Sequence, residues 1–385
     1  MIPYGKHAIS EEDIQAVVEV LRSGRITQGP AIEQLERQIA DLCGAKHAVA
    51  VNSATSALHL SCLALGLGPG NTLWTSPNTF VASANCARYC GANVDFVDID
   101  PRTYNLSLEA LDAKLQLASR ANCVPKVVVP VHFAGQPLDT GYLKRLAARY
   151  GFSVIEDAAH AIGARYDGNP VGSCNHSDIT VFSFHPVKII TTGEGGIATT
   201  NDDNLARKLR LLRSHGTTRD PDRLMNLDVG DWYYEQHDLG FNYRITDIQA
   251  ALGISQLKRL NRFLEARRLR VERYRHDLRD LALILPYEDP RARSAWHLFV
   301  VQIDEKKTRK SRRQIFDNLR KRGIQVHVHY IPVHLQPYYR SLGFSENQFP
   351  VAEAYYRRAL TLPLYATLSE EDQQYVVEEL RNALQ

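Results

Sequence analysis

From residue 47 onward, short apolar strands alternate with helical stretches, and one connection in that alternation is too short for the pattern around it. The strands read "HAVAVNS", "TLWTSP", "NVDFVDI", "KVVVPVHF" and "SVIEDA". Helical segments such as "SALHLSCLALG", "FVASANCARYCG" and "LKRLAARYG" lie between them. Apolar strands separated by helices predict an α/β fold, a mostly parallel sheet covered on both faces. Two later strands, "DITVFSF" and "GGIATT", are separated only by the ten residues from His185 to Glu194. A parallel crossover needs about a dozen residues or more. One antiparallel strand is therefore expected, with Lys188 in the tight connection.

The flanks are simpler. Ser10 and Asp13 form a capping-box pattern ahead of Ile14, Val17, Val18 and Leu21 at helical spacing, and Gly24 closes that helix. Pro30 opens a second helix carrying Ile32, Leu35, Ile39 and Leu42. Residues 217–236 are polar and weakly periodic, which predicts a long functional loop. A helical stretch over 246–281 precedes a strand "AWHLFVVQI", a helix over 308–322, a strand "IQVHVHY" and a C-terminal helix from Ser369. The chain of 385 residues is long enough for two domains. The pattern divides it into a large domain over 1–250 and a smaller α+β domain over 251–385.

Net charge is only +3, so charge alone gives no sign of a polyanion partner. The basic runs "KRLNRFLEARRLRVERYRHDLRDL" and "DEKKTRKSRR" mix with acids or apolar residues and read as solvated helix faces, so no nucleic acid is expected. The six cysteines form no CxxC pair, the usage of a reducing compartment. "MIPYGKHAISEEDI" lacks a signal-peptide core, and no apolar run approaches the ~20 residues that span a membrane. A cytoplasmic protein without a membrane partner is the expectation.

Three places could carry chemistry. Taken singly, Lys188 reads as a surface lysine on a loop. Its aromatic and apolar neighbours favour a desolvated amine, which loses proton affinity and becomes available for Schiff-base formation. Asp157, in "VIEDAAHAIGA", ends an apolar strand, where open α/β sheets bind ligands. A buried carboxylate there needs a cation, and a pyridinium nitrogen would be one; a helix N-cap explains the same residue. "NSATSALHL" runs from strand into helix, so its first amides and the Thr55 and Ser56 hydroxyls could cradle a phosphate, or simply cap the helix. "LGLGPGN" follows a helix and precedes a strand, the wrong order for a dinucleotide fingerprint. His327, His329 and His334 have no nearby carboxylate or cysteine in sequence, and no metal is expected.

The set of motifs resembles the fold-type I pyridoxal-phosphate enzymes, and within them the DegT/StrS family of nucleotide-sugar aminotransferases. "TQGPAIEQLERQIA", "NSATSALHL", "TFVASANCARYCGA", "PVHFAGQPLD", "VIEDAAHAIGARY", "SFHPVK", "TTGEGG", "LGFNYRITDIQAALG" and "SAWHLFVV" stand in the family's order. The resemblance covers essentially the whole chain. It implies a seven-stranded mostly parallel sheet in the large domain, pyridoxal 5′-phosphate as cofactor, and a homodimer with shared active sites. Lys188 matches the Schiff-base lysine and Asp157 the acid that pairs with the pyridine nitrogen. Phe80 matches the aromatic stacked on the ring. Ala54, Thr55 and Ser56 match the phosphate cradle, and Ser183 a further phosphate ligand. His160 stands where many relatives carry Gln, a position that contacts the ring. Asn242 and Arg244 match a loop that reaches the neighbouring subunit's site. Tyr4, Thr27, Gln28, His329, Tyr330 and His334 are implied around the sugar. His185 has no assigned role.

"IPYGKHAISEEDI", "SFHPVK" and "HYIPVHLQPYY" are similar to the branch that makes the amino sugar of pseudaminic acid. That branch moves an amino group from L-glutamate to C4 of a UDP-linked 4-keto-6-deoxy-N-acetyl-L-altrosamine-type sugar. Another UDP- or dTDP-linked 4-keto-6-deoxy sugar is the alternative. Relatives that dehydrate sugars replace the lysine with histidine, and a binding protein on this fold would have lost Lys188 or Asp157; both are present.

Overall fold

A computed structural model of the chain describes residues 1–227 and 229–385. Seven strands form the main sheet: β1 (His47–Val51), β2 (Thr72–Thr75), β3 (Asn93–Phe96), β4 (Val127–Val129), β5 (Ser153–Asp157), β6 (Ile179–Ser183) and β7 (Gly196–Thr200). Their spatial order is β1-β7-β6-β5-β4-β2-β3. Only β7 runs antiparallel to its neighbours, as the short 185–194 connection requires.

Both faces of the sheet are apolar and covered. Ala48 and Ala50 face one core with Leu35, Ile39, Phe182 and Ile197. Val49 and Val51, one residue out of phase, face another with Leu58, Leu60, Ile155 and Val181. Helices α2 (Pro30–Cys43) and α8 (Asp247–Leu257) cover the first face, α3 (Ala54–Ala64), α4 (Ala82–Tyr89) and α7 (Asp203–Arg213) the second, and α5 (Leu108–Arg120) and α6 (Thr140–Tyr150) pack on Trp74, Val128 and Val154.

Helix α1 (Glu11–Arg22) carries its apolar stripe largely in the open. Ile14 and Leu21 are exposed, while Asp13 is buried, bonded to Gln256 of α8 and paired with Arg259 just beyond it. Periodicity located the helix, but its buried face is polar. Helix α2 starts on Gly29, which has no side chain to cap it. Asp247, at the start of α8, accepts instead from the Gly29 and Ala31 amides at 2.7 and 3.0 Å. Asp247→Ala strands two sheltered donors, and urea unfolding is expected to show a loss of about 1–3 kcal/mol.

A second core lies toward the C-terminus. Strands β8 (Leu283–Ile284), β9 (Phe299–Ile303) and β10 (Ala359–Leu362) pair antiparallel. Phe299, Val301 and Leu360 pack there on Tyr274 and Leu278 of α9 (Leu260–Leu278) and on Val376 and Leu380 of the helix Glu370–Leu384. Residue 250 falls inside α8, whose Ala250 and Ile254 belong to the first-face core of the main sheet.

Several expected elements differ. The helical stretch over 246–281 breaks at Lys258–Arg259 into α8 and α9. The 217–236 loop closes on a two-residue ladder, Thr217–Thr218 with Glu235–Gln236, around a 3-10 turn at Pro221–Arg223. Of "IQVHVHY" only Ile324–Gln325 is a strand, paired in parallel with Ile2–Pro3. Beyond a single bridge from His327 to Thr361 its partners become side chains, because the segment turns into a cavity wall. Among the described residues no helix is long and apolar enough to cross a membrane.

Candidate active site

The ends of β5 and β6 and the start of α3 meet at one cavity of about 320 Å³. Strand β5 ends in Glu156 and Asp157, whose side chains leave opposite faces. Glu156 turns away and binds buried His132 Nε2 at 2.6 Å. Asp157 turns into the cavity. Its Oδ2 accepts from the Ser83 hydroxyl at 2.6 Å and its Oδ1 from the Ala159 amide at 3.0 Å. Ser83 is in turn bonded to Thr79 at 2.7 Å. Asp157 is buried and forms no ion pair among the described residues.

Lys188 lines the same cavity, in a turn closed by its own amide donating to the His185 carbonyl at 2.9 Å. Burial pushes its ammonium down to about 8, and the Asp157 charge opposes that shift. The lysine connection is tied down from behind: Thr191 Oγ1 and the Thr192 amide both donate to the Phe184 carbonyl, at 2.8 and 3.0 Å.

The cavity floor is the strand-to-helix turn Ser53–Thr55. Ser53 caps α3 by accepting from the Ser56 amide at 3.1 Å, and the Ser56 hydroxyl bonds Asn52 at 2.6 Å. Both polar groups of Ser56 are thereby committed inside the turn. Thr55 and the first amides of the helix remain for a ligand. A Cβ at Gly196 would collide with the Ser53 and Ala54 backbone, so only glycine lets β7 press this close.

Histidines and tyrosines make the remaining wall. His160 Nδ1 accepts from the Ala134 amide at 3.2 Å, and its Nε2 lies 3.2 Å from the Tyr330 hydroxyl. Burial, then the Lys188 charge and His329, push His160 well below the usual imidazole range. His329, held by Thr361 at 2.8 Å, is lowered likewise by burial, His327 and Lys188. Tyr4 is carried in by the N-terminal strand and packs 5.2 and 5.3 Å from the His327 and His329 rings. Phe80 stands exposed at the mouth, 6.4 Å from Tyr330.

Of the residues expected from sequence, Tyr4, Ala54, Thr55, Phe80, Asp157, His160, Ser183, Lys188, His329 and Tyr330 line this cavity. His334 does not: it is sealed in a core, bonded to Glu353 at 3.1 Å and packed on Phe349. Thr27 and Gln28 are exposed outside it, beside the bridge to Thr246. Asn242 and Arg244 lie outside it too, on a segment whose Tyr243 carbonyl accepts from Asn52 at 2.8 Å. Sequence reasoning passed over Ser83, His297 and Glu194. His297 sat inside the quoted "SAWHLFVV", and a histidine in an apolar strand was its signal. Ser83 was visible only as the residue one helical turn past Phe80.

A pyridine cofactor fits these groups on two structural grounds. Asp157 is a buried carboxylate held by neutral donors and lacking a close cationic partner, which a protonated ring nitrogen would supply. In the same cavity, the Ala54 and Thr55 amides at the start of α3 have no partner among the described residues and can offer themselves to a phosphate.

The family model described as the DegT/DnrJ/EryC1/StrS aminotransferase family matches residues 7–381. The chain is 41% identical over 384 residues to the spore coat polysaccharide biosynthesis protein SpsC of Bacillus subtilis (strain 168), covering 99% of this chain and 96% of SpsC. Among solved structures it is similar to Helicobacter pylori PseC, an aminotransferase of pseudaminic acid biosynthesis, with 31% identity, a TM-score of 0.90 and coverage of 100% and 99%. It is also similar to Streptococcus pneumoniae Spr1654 in its PLP form, a provisionally assigned sugar aminotransferase, with 31% identity, a TM-score of 0.88 and coverage of 99% and 98%. Family match, whole-length relatives and a cavity that joins a buried lysine, a buried aspartate and the first turn of α3 agree: the chain belongs to the DegT/DnrJ/EryC1/StrS family and is a pyridoxal-phosphate-dependent sugar aminotransferase.

Proposed function

We propose that the enzyme transfers the amino group of L-glutamate to C4 of a UDP-linked 4-keto-6-deoxy-N-acetyl-L-altrosamine-type sugar, giving UDP-4-amino-4,6-dideoxy-N-acetyl-β-L-altrosamine for pseudaminic acid. The observation that carries the chemistry is the desolvated Lys188 amine sharing one cavity with buried Asp157. The choice of sugar is supported by the likeness to PseC over the whole chain.

Pyridoxal phosphate, when bound, supplies the aldehyde that carries the amino group and a ring that takes up electrons. Asp157, oriented by Ser83 and Ala159, keeps a negative charge for the ring nitrogen. Thr55, the amides at Ala54 and Thr55, and Ser183 would hold the phosphate. Phe80 covers the mouth. Lys188 would anchor the cofactor through its amine and, once freed as a neutral amine, would move protons at the reacting carbon. The near-neutral imidazoles of His160 and His329 add polar contacts to the wall without adding charge. Both substrates use this one cavity, so ping-pong kinetics are expected.

The active unit is a homodimer in this reading. Helix α1 leaves Ile14 and Leu21 open, and the 217–239 segment exposes Met225, Leu227, Trp232 and Leu239, apolar surface suited to a second copy. Asn242 and Arg244 would then serve the neighbouring subunit's cavity, with Thr27 and Gln28 at the same seam. None of the six cysteines is paired, consistent with work in the cytoplasm.

A panel of 4-keto-6-deoxy sugars offered with L-glutamate, with the product's C4 configuration read by NMR, tests the substrate. The UDP-linked N-acetylated sugar is expected to have the highest kcat/KM. Preference for a dTDP-linked sugar would refute this reading in favour of the alternative.

A further inference from the structure

His160 is wired in one direction. Its Nδ1 accepts from the Ala134 amide, and burial beside Lys188 keeps the ring neutral. A neutral imidazole carries one proton, and with Nδ1 accepting, that proton sits on Nε2. The Nε2–H therefore donates to the Tyr330 oxygen, 3.2 Å away. Burial, and the Asp157 charge next, keep the Tyr330 phenol protonated. Its own proton has no acceptor among the described residues and is left for the cavity that Tyr330 lines.

An irregular turn aims the controlling amide. Ala134 has φ 58° and Gly135 φ 98°, both in the left-handed region. The Ala134 carbonyl accepts from the His297 amide at 2.9 Å, and the Gly135 carbonyl from Ala295 at 3.0 Å. A Cβ at Gly135 would meet the Trp296 nitrogen at 2.8 Å and the His160 carbonyl oxygen at 3.0 Å, so the turn is pinned between both segments. The His297 ring packs 4.4 Å from His160 without a hydrogen bond to it, and so does not compete for its proton.

We propose that the Phe133–Gly135 turn sets the polarity of the cavity: by holding the Ala134 amide against His160, it makes Tyr330 a hydrogen-bond donor toward the substrate, selecting an acceptor oxygen such as the sugar's ketone. Ala134 and His160 are positioning residues in this scheme, and Tyr330 touches the sugar. The identity of the sugar rests on the reading above; the direction of the relay does not.

Two measurements decide it. In ¹⁵N-histidine-labelled enzyme, with H160Q used to assign the signal, His160 is expected as the Nε2–H tautomer from about pH 6 to 9. In the second, Y330F is expected to slow the return half-reaction with the keto sugar about 100-fold more than the half-reaction with glutamate, the scale of losing one preorganised donor. H160Q can accept from Ala134 and donate to Tyr330 together, so it is expected to recover most of what H160L loses. An Nδ1–H tautomer, an imidazolium in that pH range, or equal slowing of both halves by Y330F overturns the proposal. The tautomer is read without substrate, so an enzyme that ignores every keto sugar would refute the substrate assignment and leave the relay to be judged by its own spectrum.

Discussion

Lys188→Arg is expected to abolish transamination, with turnover falling by at least about 10⁴-fold, because in the proposed mechanism this one residue supplies both the Schiff-base amine and the proton carrier. Arginine keeps the positive charge but offers no free amine at any accessible pH. Purified wild-type protein should absorb near the visible edge and bleach on adding glutamate, whereas the variant should do neither. A colourless Lys188→Arg enzyme with full activity would sink the mechanism. The same lysine makes a separate prediction for the apoenzyme. Its native value of about 8 lies below the ordinary 10.5, so between those values the unfolded chain binds more protons than the native one. Lys188 therefore costs the fold most below about pH 8, and that cost fades as pH rises toward 10.5. Lys188→Met removes the dependence. Apoenzyme denaturation curves at both pH values should show the variant gaining on wild type at pH 8.

Asp157→Asn is expected to lower kcat by about 10²–10³-fold and to weaken cofactor binding, since it removes a preorganised charge from a buried site. Ser83→Ala should cost less, because Ala159 still donates to the carboxylate. A cofactor titration followed by single-turnover kinetics separates the two effects. Retention of activity within tenfold by Asp157→Asn would mean that the ring nitrogen is not held by this carboxylate.

The backbone of this site was legible to an unusual degree. Lys188 was placed by a length argument, since ten residues cannot cross over in parallel, and β7 does run antiparallel. Asp157 followed from its place at the end of an apolar strand; which of the two adjacent acids faces the cavity came from the structure, where His132 holds Glu156 on the other face. The second layer was not legible. Ser83, the Ala134 amide and His297 reach Asp157 and His160 from segments separated in sequence by 74, 26 and 137 residues, and no local pattern encodes such contacts.

His334 shows the limit most clearly. In sequence it stood with His329 and Tyr330 as one motif. The 3-10 turn Val333–Leu335 carries it past the cavity and buries it against Glu353, which lies 19 residues on. Asp247 makes the same point, capping a helix that starts 217 residues before it. By itself the sequence determined the alternation of elements, the antiparallel strand and the chemical identity of the lysine and aspartate, because those depend on period, length and residue type. Tertiary structure alone decided which donors hold the aspartate, which groups meet the two nitrogens of His160 and which histidines face the cavity, because those depend on distances between segments that only packing brings together.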